Sequence, residues 1–204
     1  MNGGFHQEQT IDEQKSLSDG LVDRDWFNYA AQTGVRDDGK FTFYMSDDLP
    51  KKVRGFVRRT IKKIDKVTQY PIKKTKNEDK ADVLVDDVTN YDNWGPIYSN
   101  AAGLAYFDYN NNSKLNATWL TSVQEFNVTK KGKIKLSNNA KRIITHEILH
   151  TLGLQHPYGQ GSYLGVDNSD TAMSYNIYHW DLKDPLRSAD IEALQSLWGY
   201  PHWV

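Results

Sequence analysis

The chain has 204 residues, which is enough for one domain with a sizeable buried core and short for two domains. Hydrophobic residues make up 38% of it and charged residues 25%, a balance typical of a folded globular protein and not of a disordered one. The 25 Lys and Arg residues nearly balance the 26 Asp and Glu residues, so we expect no nucleic-acid partner, and no apolar stretch is long enough for a membrane span. Cysteine is absent, and any metal site must therefore use His, Asp, Glu or Tyr side chains.

The first part of the chain combines a polar arm, a strand and a basic helix. Residues 1–19 are polar with few apolar anchors, and we interpret them as a flexible arm or the remnant of a pro-segment. Phe41–Met45 is aromatic and β-prone, which predicts a strand. A helix is predicted over Lys51–Val67, and its Lys and Arg residues are interpreted as a solvated face and not as a nucleic-acid surface. Its apolar face is predicted to hold Val53, Phe56, Val57, Thr60, Ile61 and Ile64.

The later elements alternate short strands with two further helices. A helix is expected to begin at Ser137 or Asn138, whose side-chain oxygens are suitable N-caps, and a last helix is expected over residues 189–198. Ser188 is the predicted cap of that last helix, and Gly199 is its predicted stop. The segment from residue 157 to residue 170 is predicted to be a loop. Strands are predicted over residues 81–85, 102–107 and 118–123, which gives an α/β or α+β sandwich of one sheet with a few helices.

The segment from residue 146 to residue 156 contains the pattern HExxHxxGxxH. His146 and His150 are four residues apart, so a helix presents both imidazoles on one face, with Glu147 beside them. Gly153 can adopt a positive φ and end the helix sharply, which lets His156 return as a third ligand. Chance would produce this pattern on the order of 10⁻⁵ times in a chain of this composition, so we interpret it as a functional motif.

Three neutral imidazoles that leave one coordination position open are typical of a catalytic zinc site. Zinc lowers the pKa of a bound water and polarises a substrate carbonyl. Glu147 is expected to take the proton of that water and to deliver it later to the leaving amine.

A second motif follows the histidine motif and supports it. Met173, in the segment Thr-Ala-Met-Ser-Tyr, lies 17 residues after His156. Together the two segments resemble the metzincin zinc peptidases, and Met-Ser-Tyr is similar to the serralysin form of their Met-turn. The resemblance implies that Met173 lies beneath the plane of the three imidazoles. It also implies that Tyr175 is a catalytic residue, which binds zinc in the resting enzyme and then stabilises the oxyanion.

The similarity to serralysin and matrixin catalytic domains extends over roughly residues 41–200 and implies an α+β, zincin-like fold with one twisted mixed sheet. Residues 20–204 would form the catalytic domain, divided by a zinc cleft at about residue 156. A smaller C-terminal subdomain, residues 157–204, would hold the Met-turn and the closing helix. Asp190 is expected to support the Met-turn through hydrogen bonds to its backbone. The edge strand above the cleft would bind substrate as an added antiparallel strand; the substrate-binding residues expected there are Ala102, Gly103, Leu104 and Ala105.

The resemblance implies a zinc-dependent endopeptidase that cleaves extended polypeptides and contains one catalytic Zn²⁺. We expect a monomeric, secreted protein, although no signal peptide is visible in this chain. Two alternatives stay open: a zinc-bound effector that uses the same scaffold without proteolysis, and a matrixin-like enzyme that needs structural calcium, for which the sequence offers no support. Leu149 stands where serralysins usually have glycine, and Ala189 stands where matrixins have an additional aspartate.

Overall fold

A computed structural model describes residues 21, 40–87, 103–107, 117–121, 126–128, 134–156, 171–174 and 186–199. Within these residues the fold is mixed α+β, with one five-stranded sheet, a two-stranded sheet and helices packed against them. The predicted arm and the predicted loop after residue 156 lie outside the described residues. The elements are β1 (Phe41–Met45), α1 (Lys51–Val67), β2 (Ile72–Lys74), a 3-10 turn (Glu78–Lys80), β3 (Val83–Asp87), β4 (Gly103–Phe107), β5 (Ala117–Thr121), β6 (Phe126–Val128), β7 (Ile134–Leu136), α2 (Asn138–Thr151) and α3 (Ser188–Trp198).

The five-stranded sheet has the order β2-β1-β3-β5-β4. β1 pairs in parallel with β2 and β3, and β3 pairs in parallel with β5. β4 pairs antiparallel with β5, in the register Gly103 to Thr121, and is the last strand of the order. The predicted mixed sheet is therefore confirmed, whereas β2 and the β6–β7 hairpin were not predicted.

The amphipathic pattern of α1 is confirmed by its packing. All six positions that the sequence assigned to its apolar face are buried. β1 shows the alternation expected of a strand, with Phe41, Phe43 and Met45 buried in the common core. Burial of this apolar area is the main stabilising contribution to the sheet–helix sandwich.

Several predicted boundaries were wrong by one or two residues: the strands predicted over residues 81–85, 102–107 and 118–123 lie at Val83–Asp87, Gly103–Phe107 and Ala117–Thr121. β3 begins at Val83 and not at residue 81, because the Asp82 carboxylate accepts hydrogen bonds from Thr42 N–H and Thr42 O–H, both at 2.6 Å, and so joins the start of the strand to β1. Ser188 does not cap α3. The N-cap is Arg187, and Asp190 in the first turn accepts its backbone N–H at 3.0 Å.

The end of α3 joins it to the other two helices. The Trp198 indole N–H donates to the Leu152 carbonyl at 2.8 Å, just beyond the end of α2. Gln195 donates to the Val67 carbonyl at the end of α1 at 3.0 Å. Gly199 then ends the helix with a φ of 83°, as predicted. None of the helices in the described part of the chain combines the length and the apolar character that a membrane span needs.

Candidate metal centre

α2 presents its functional side chains in its last two turns. Ser137 begins the helix, because its hydroxyl oxygen accepts the Ala140 N–H at 3.0 Å. Ile144 and Ile148 bury one face of the helix in the core. His146 and His150 lie one turn apart, as their spacing requires.

The chain turns back immediately after α2. Gly153 has a φ of 95°, a conformation that a residue with a Cβ rarely adopts. Its N–H donates to His150 O at 2.9 Å, and the Leu154 N–H donates to Leu149 O at 3.1 Å, which together form a Schellman motif. The turn brings His156 back to the two histidines of the helix.

The three imidazoles meet through their Nε2 atoms. The distance between Nε2 of His146 and Nε2 of His156 is 2.9 Å, and the distances from His150 Nε2 to each of the other two are 3.1 Å. Four-coordinate zinc, with Zn–N bonds of about 2.0–2.1 Å, holds its ligand nitrogens roughly 3.3 Å apart. The three side chains are therefore close enough to hold one metal ion.

Two of the rings are oriented by backbone carbonyl groups. Nδ1 of His146 lies 2.9 Å from Ala172 O, and Nδ1 of His150 lies 2.7 Å from Leu154 O. A carbonyl oxygen only accepts, so each Nδ1 carries the proton and each Nε2 presents a lone pair. The carbonyls of Ala172 and Leu154 thereby select the tautomer that a metal ligand needs.

The protonation states favour a cation between these rings. Desolvation, with repulsion from the neighbouring imidazoles, lowers the pKa of His146 well below its ordinary value. Desolvation also lowers the pKa values of His150 and His156 to about 4. At neutral pH the Nε2 lone pairs of His146 and His150 therefore face each other at 3.1 Å with no proton between them. A metal ion converts this repulsion into coordination, so the donor set fits such an ion.

Glu147 is buried between α2 and β4, with 8% of its surface exposed. Burial raises its pKa to about 8, although a hydrogen bond from the backbone N–H of Ala105 opposes the rise. Gly103 allows the close approach of β4, because a Cβ there would lie 2.7 Å from Glu147 Cγ and 2.7 Å from Ile143 Cγ2. A nearby divalent cation would favour the ionised form of the carboxyl group.

The segment 171–174 lies against His146 and is held by α3. Met173 is fully buried in the core. The buried Asp190 carboxylate accepts the Thr171 hydroxyl at 2.6 Å and the Ala172 N–H at 2.9 Å. The Ala172 carbonyl on the other side of the same residue accepts the proton of His146 Nδ1. Asp190 thus supports the segment that orients a candidate ligand.

The structure describes only some of the other residues of the predicted site. Tyr175 and Ala102 lie outside the described residues, and Leu104 is described by its backbone in β4. Ala172 and Leu154 were not singled out by the sequence, because they act through backbone carbonyls that every residue has. Thr171 was also missed, although a hydroxyl next to an expected turn is a usable signal of side-chain-to-backbone bonding.

No protein-family model matches the chain, and no curated protein is significantly similar to it.

Proposed function

We propose that this chain is a zinc-dependent endopeptidase of the metzincin type, with a zincin-like, serralysin-related catalytic domain. The observation that carries the proposal is the convergence of three imidazole Nε2 atoms, within 3.1 Å of one another, beside a buried carboxyl group. Histidine, glutamate and glycine occur at the HExxHxxGxxH spacing in the same segment.

Zinc is the metal that we propose for this site. The donor set consists of neutral imidazoles with no thiolate, and three such ligands leave a coordination position open for chemistry. When bound, the ion would lower the pKa of a water molecule at this position and polarise a substrate carbonyl group. The backbone carbonyls behind His146 and His150 keep the two rings aimed at a common point.

Glu147 is the proposed general base. Its carboxylate would take a proton from the attacking water and return that proton to the amine nitrogen of the leaving group. Ala105 N–H donates to the same carboxyl group and so limits its positions. Tyr175 is proposed to stabilise the oxyanion, and Met173 to form an apolar base beneath the imidazoles.

The edge strand β4 suggests how a polypeptide would bind. β4 is the last strand in the order of the sheet and is antiparallel to β5. Its residues Gly103 and Ala105 adjoin Glu147. An extended peptide that pairs with this edge would bring its backbone carbonyls past the carboxyl group. This placement supports the cleavage of extended polypeptides at an internal bond. We also propose that the protein is secreted.

The decisive experiment combines metal analysis with cleavage mapping. Purified protein is expected to contain one zinc per chain and to cut an unbiased peptide library at internal bonds, with cleavage lost on chelation and restored by zinc. Glu147→Ala should retain zinc and lose cleavage, whereas Glu192→Ala, an exposed carboxylate on α3, should behave as wild type.

Each failure has a specific meaning. Stoichiometric zinc without cleavage by the wild-type protein would support a zinc-bound effector instead of a peptidase. Stoichiometric calcium would support the matrixin-like alternative. Absence of any bound metal would remove the basis of the proposal.

A further inference from the structure

Helix α1 concentrates positive charge on its exposed face. The helix contains eight basic residues and one acidic residue, a net charge of +7, in a chain whose total is −1. The rest of the chain therefore carries a net charge of −8. The exposed cations are Lys51, Lys52, Arg58, Arg59, Lys62 and Lys66, and Arg54 and Lys63 flank them. We call these eight residues the α1 basic face.

Acidic side chains of the described residues neutralise little of the charge on the six exposed cations. Arg54 pairs with Asp47, and within the described ranges no ion pair is found for any of the six exposed cations. Asp65, the acidic residue of the helix, accepts the Ile72 N–H at 2.8 Å and so is oriented towards β2. The six exposed cations therefore share the helix surface with one acidic residue, Asp65, whose carboxylate already accepts a backbone N–H.

This charge pattern opposes the stability of the helix that carries it. Arg58 and Lys62, and Lys62 and Lys66, are like-charged neighbours four residues apart, which repel on a helix surface. Lys51 and Lys52 lie in the first turn, where the helix dipole favours acidic residues and none is present. A bound anion would relieve the like-charge repulsion and the unfavourable interaction with the helix dipole. The arrangement of charges on α1 therefore favours anion binding and does not favour the stability of the helix.

The shape of the face indicates the form of the partner. A helix of 17 residues is about 25 Å long, and cations recur at nearly every turn along it. A linear polymer with regularly spaced negative charges can follow such a row, whereas a single small anion would use only part of it. The release of counterions from both partners would supply the binding free energy.

The composition of the face selects among the linear polyanions. No aromatic side chain is exposed on α1, so the face has no surface on which the unpaired bases of a single-stranded nucleic acid could stack. The apolar residues of α1 that would have to enter a membrane interface are buried in the core. We propose that the α1 basic face binds a linear anionic polysaccharide, through charge pairing along its chain. This site is independent of the proposed proteolysis.

The test measures affinity for defined polyanions by fluorescence anisotropy at about 150 mM salt and over a salt series. The probes are a heparin-derived dodecasaccharide, a carboxylate-only alginate oligosaccharide of the same length, a short DNA duplex and anionic vesicles. The two saccharides separate sulfate recognition from carboxylate recognition. We expect saturable binding of at least one saccharide, tighter than binding of the duplex or of the vesicles.

The matched variants remove the same charge from different places. Arg58→Gln with Lys62→Gln should weaken saccharide binding roughly tenfold and lower the salt slope by about 2. Lys76→Gln with Lys80→Gln, two exposed lysines outside the helix, should change affinity less than about twofold. The melting temperature of the Arg58→Gln, Lys62→Gln variant should be unchanged or raised, because like-charge repulsion is removed. This measurement shows whether the variant is folded.

Equal effects of the two pairs of substitutions would overturn the proposal. So would a lack of saturable saccharide binding, or tighter binding of the duplex or of the vesicles that depends on Arg58 and Lys62.

Discussion

Nδ1 of His146 lies 2.9 Å from the carbonyl oxygen of Ala172, 26 residues further along the chain. The same Ala172 donates its N–H to the Asp190 carboxylate on α3 at 2.9 Å. One residue thus connects a candidate ligand on α2 with a buried charge on another helix. The orientation of the His146 ring depends on this connection, because a ring that rotates away from the carbonyl loses its tautomer selection.

We predict that Asp190→Asn weakens both the fold and the metal site. Asp190 accepts hydrogen bonds from Thr171 O–H and from the N–H groups of Ala172 and Arg187. An amide group would direct an NH₂ at one of these donors, and the resulting unpaired groups should lower the free energy of unfolding by about 2–4 kcal/mol. Metal affinity should fall roughly tenfold or more.

Chemical denaturation and a competition assay with a chelator would measure these two effects. Glu192→Gln on the exposed side of α3 is the matched control and should leave both quantities unchanged. If Asp190→Asn retains wild-type metal affinity, the segment 171–174 does not position His146.

The local elements were largely predictable because their signals are local. The periodicity of α1 assigned its buried positions correctly, from Val53 to Ile64. The motif also placed a turn at Gly153, where φ is 95°. In each case the property depends on residues within a few positions of one another, so tertiary contacts had little to change.

The interactions between distant segments could not be predicted in the same way. The predicted cap of α3 was wrong because Asp190 accepts the Arg187 N–H, which places the N-cap one residue before Ser188. β2 is a three-residue strand, Ile72–Lys74, whose pairing with β1 has no pattern long enough to detect. The carbonyls of Ala172 and Leu154 act through atoms that the sequence does not distinguish.

We predict opposite effects for the same substitution at two glycines. A Cβ at residue 103 would lie 2.7 Å from Glu147 Cγ and Ile143 Cγ2, so Gly103→Ala must move β4 or α2. We expect it to lower the free energy of unfolding by about 1–3 kcal/mol and to impair any activity that uses Glu147. Gly55→Ala in α1 would meet only the end of Arg59, at 3.7 Å, and should stabilise the protein by about 0.5–1 kcal/mol.

Thermal and urea denaturation of the two variants would check both signs. A Gly103→Ala variant as stable as wild type would show that β4 does not pack against Glu147 as closely as described. A destabilised Gly55→Ala variant would show that α1 needs the absence of a side chain at that position.

We predict that Leu21 contributes to the stability of the core and of the turn before His156. Its side chain is fully buried in the core. Its carbonyl accepts the Gln155 N–H at 2.7 Å, directly before the candidate ligand His156. Leu21→Ala should therefore lower the free energy of unfolding by about 2–5 kcal/mol, and the volume-conserving Leu21→Met by less than about 1.5 kcal/mol. Urea denaturation of both variants is the measurement; a loss below about 0.5 kcal/mol for Leu21→Ala would mean that the residue is not part of the core.

The metal-free protein should become less stable as the pH rises from about 6.5 to 8. Burial raises the pKa of Glu147 from 4.5 to about 8, so over that range the folded state holds a proton that the unfolded state has lost. Stability falls with pH wherever the folded state binds more protons, and for this group the loss is about 1–2 kcal/mol between pH 6.5 and 8. This contribution is fully present below pH 4.5 and is lost above pH 8.

Among the described residues, the other buried groups with shifted pKa values titrate at lower pH and therefore do not obscure this range. The pKa of Asp190 is raised to about 6, which places its own loss of stability below that value. His150 and His156 have pKa values lowered to about 4, so their stabilising contributions are lost as the pH falls from 6.5 towards 4. Glu147→Gln should abolish the decrease above pH 6.5, since glutamine has no proton to release. Saturation with metal should also suppress the decrease in stability, because a divalent cation stabilises the carboxylate and lowers its pKa.

Melting temperatures across this pH range would be measured for the metal-free wild type, the metal-saturated wild type and the Glu147→Gln variant. An equal decrease in the Glu147→Gln variant would assign the pH dependence to another group.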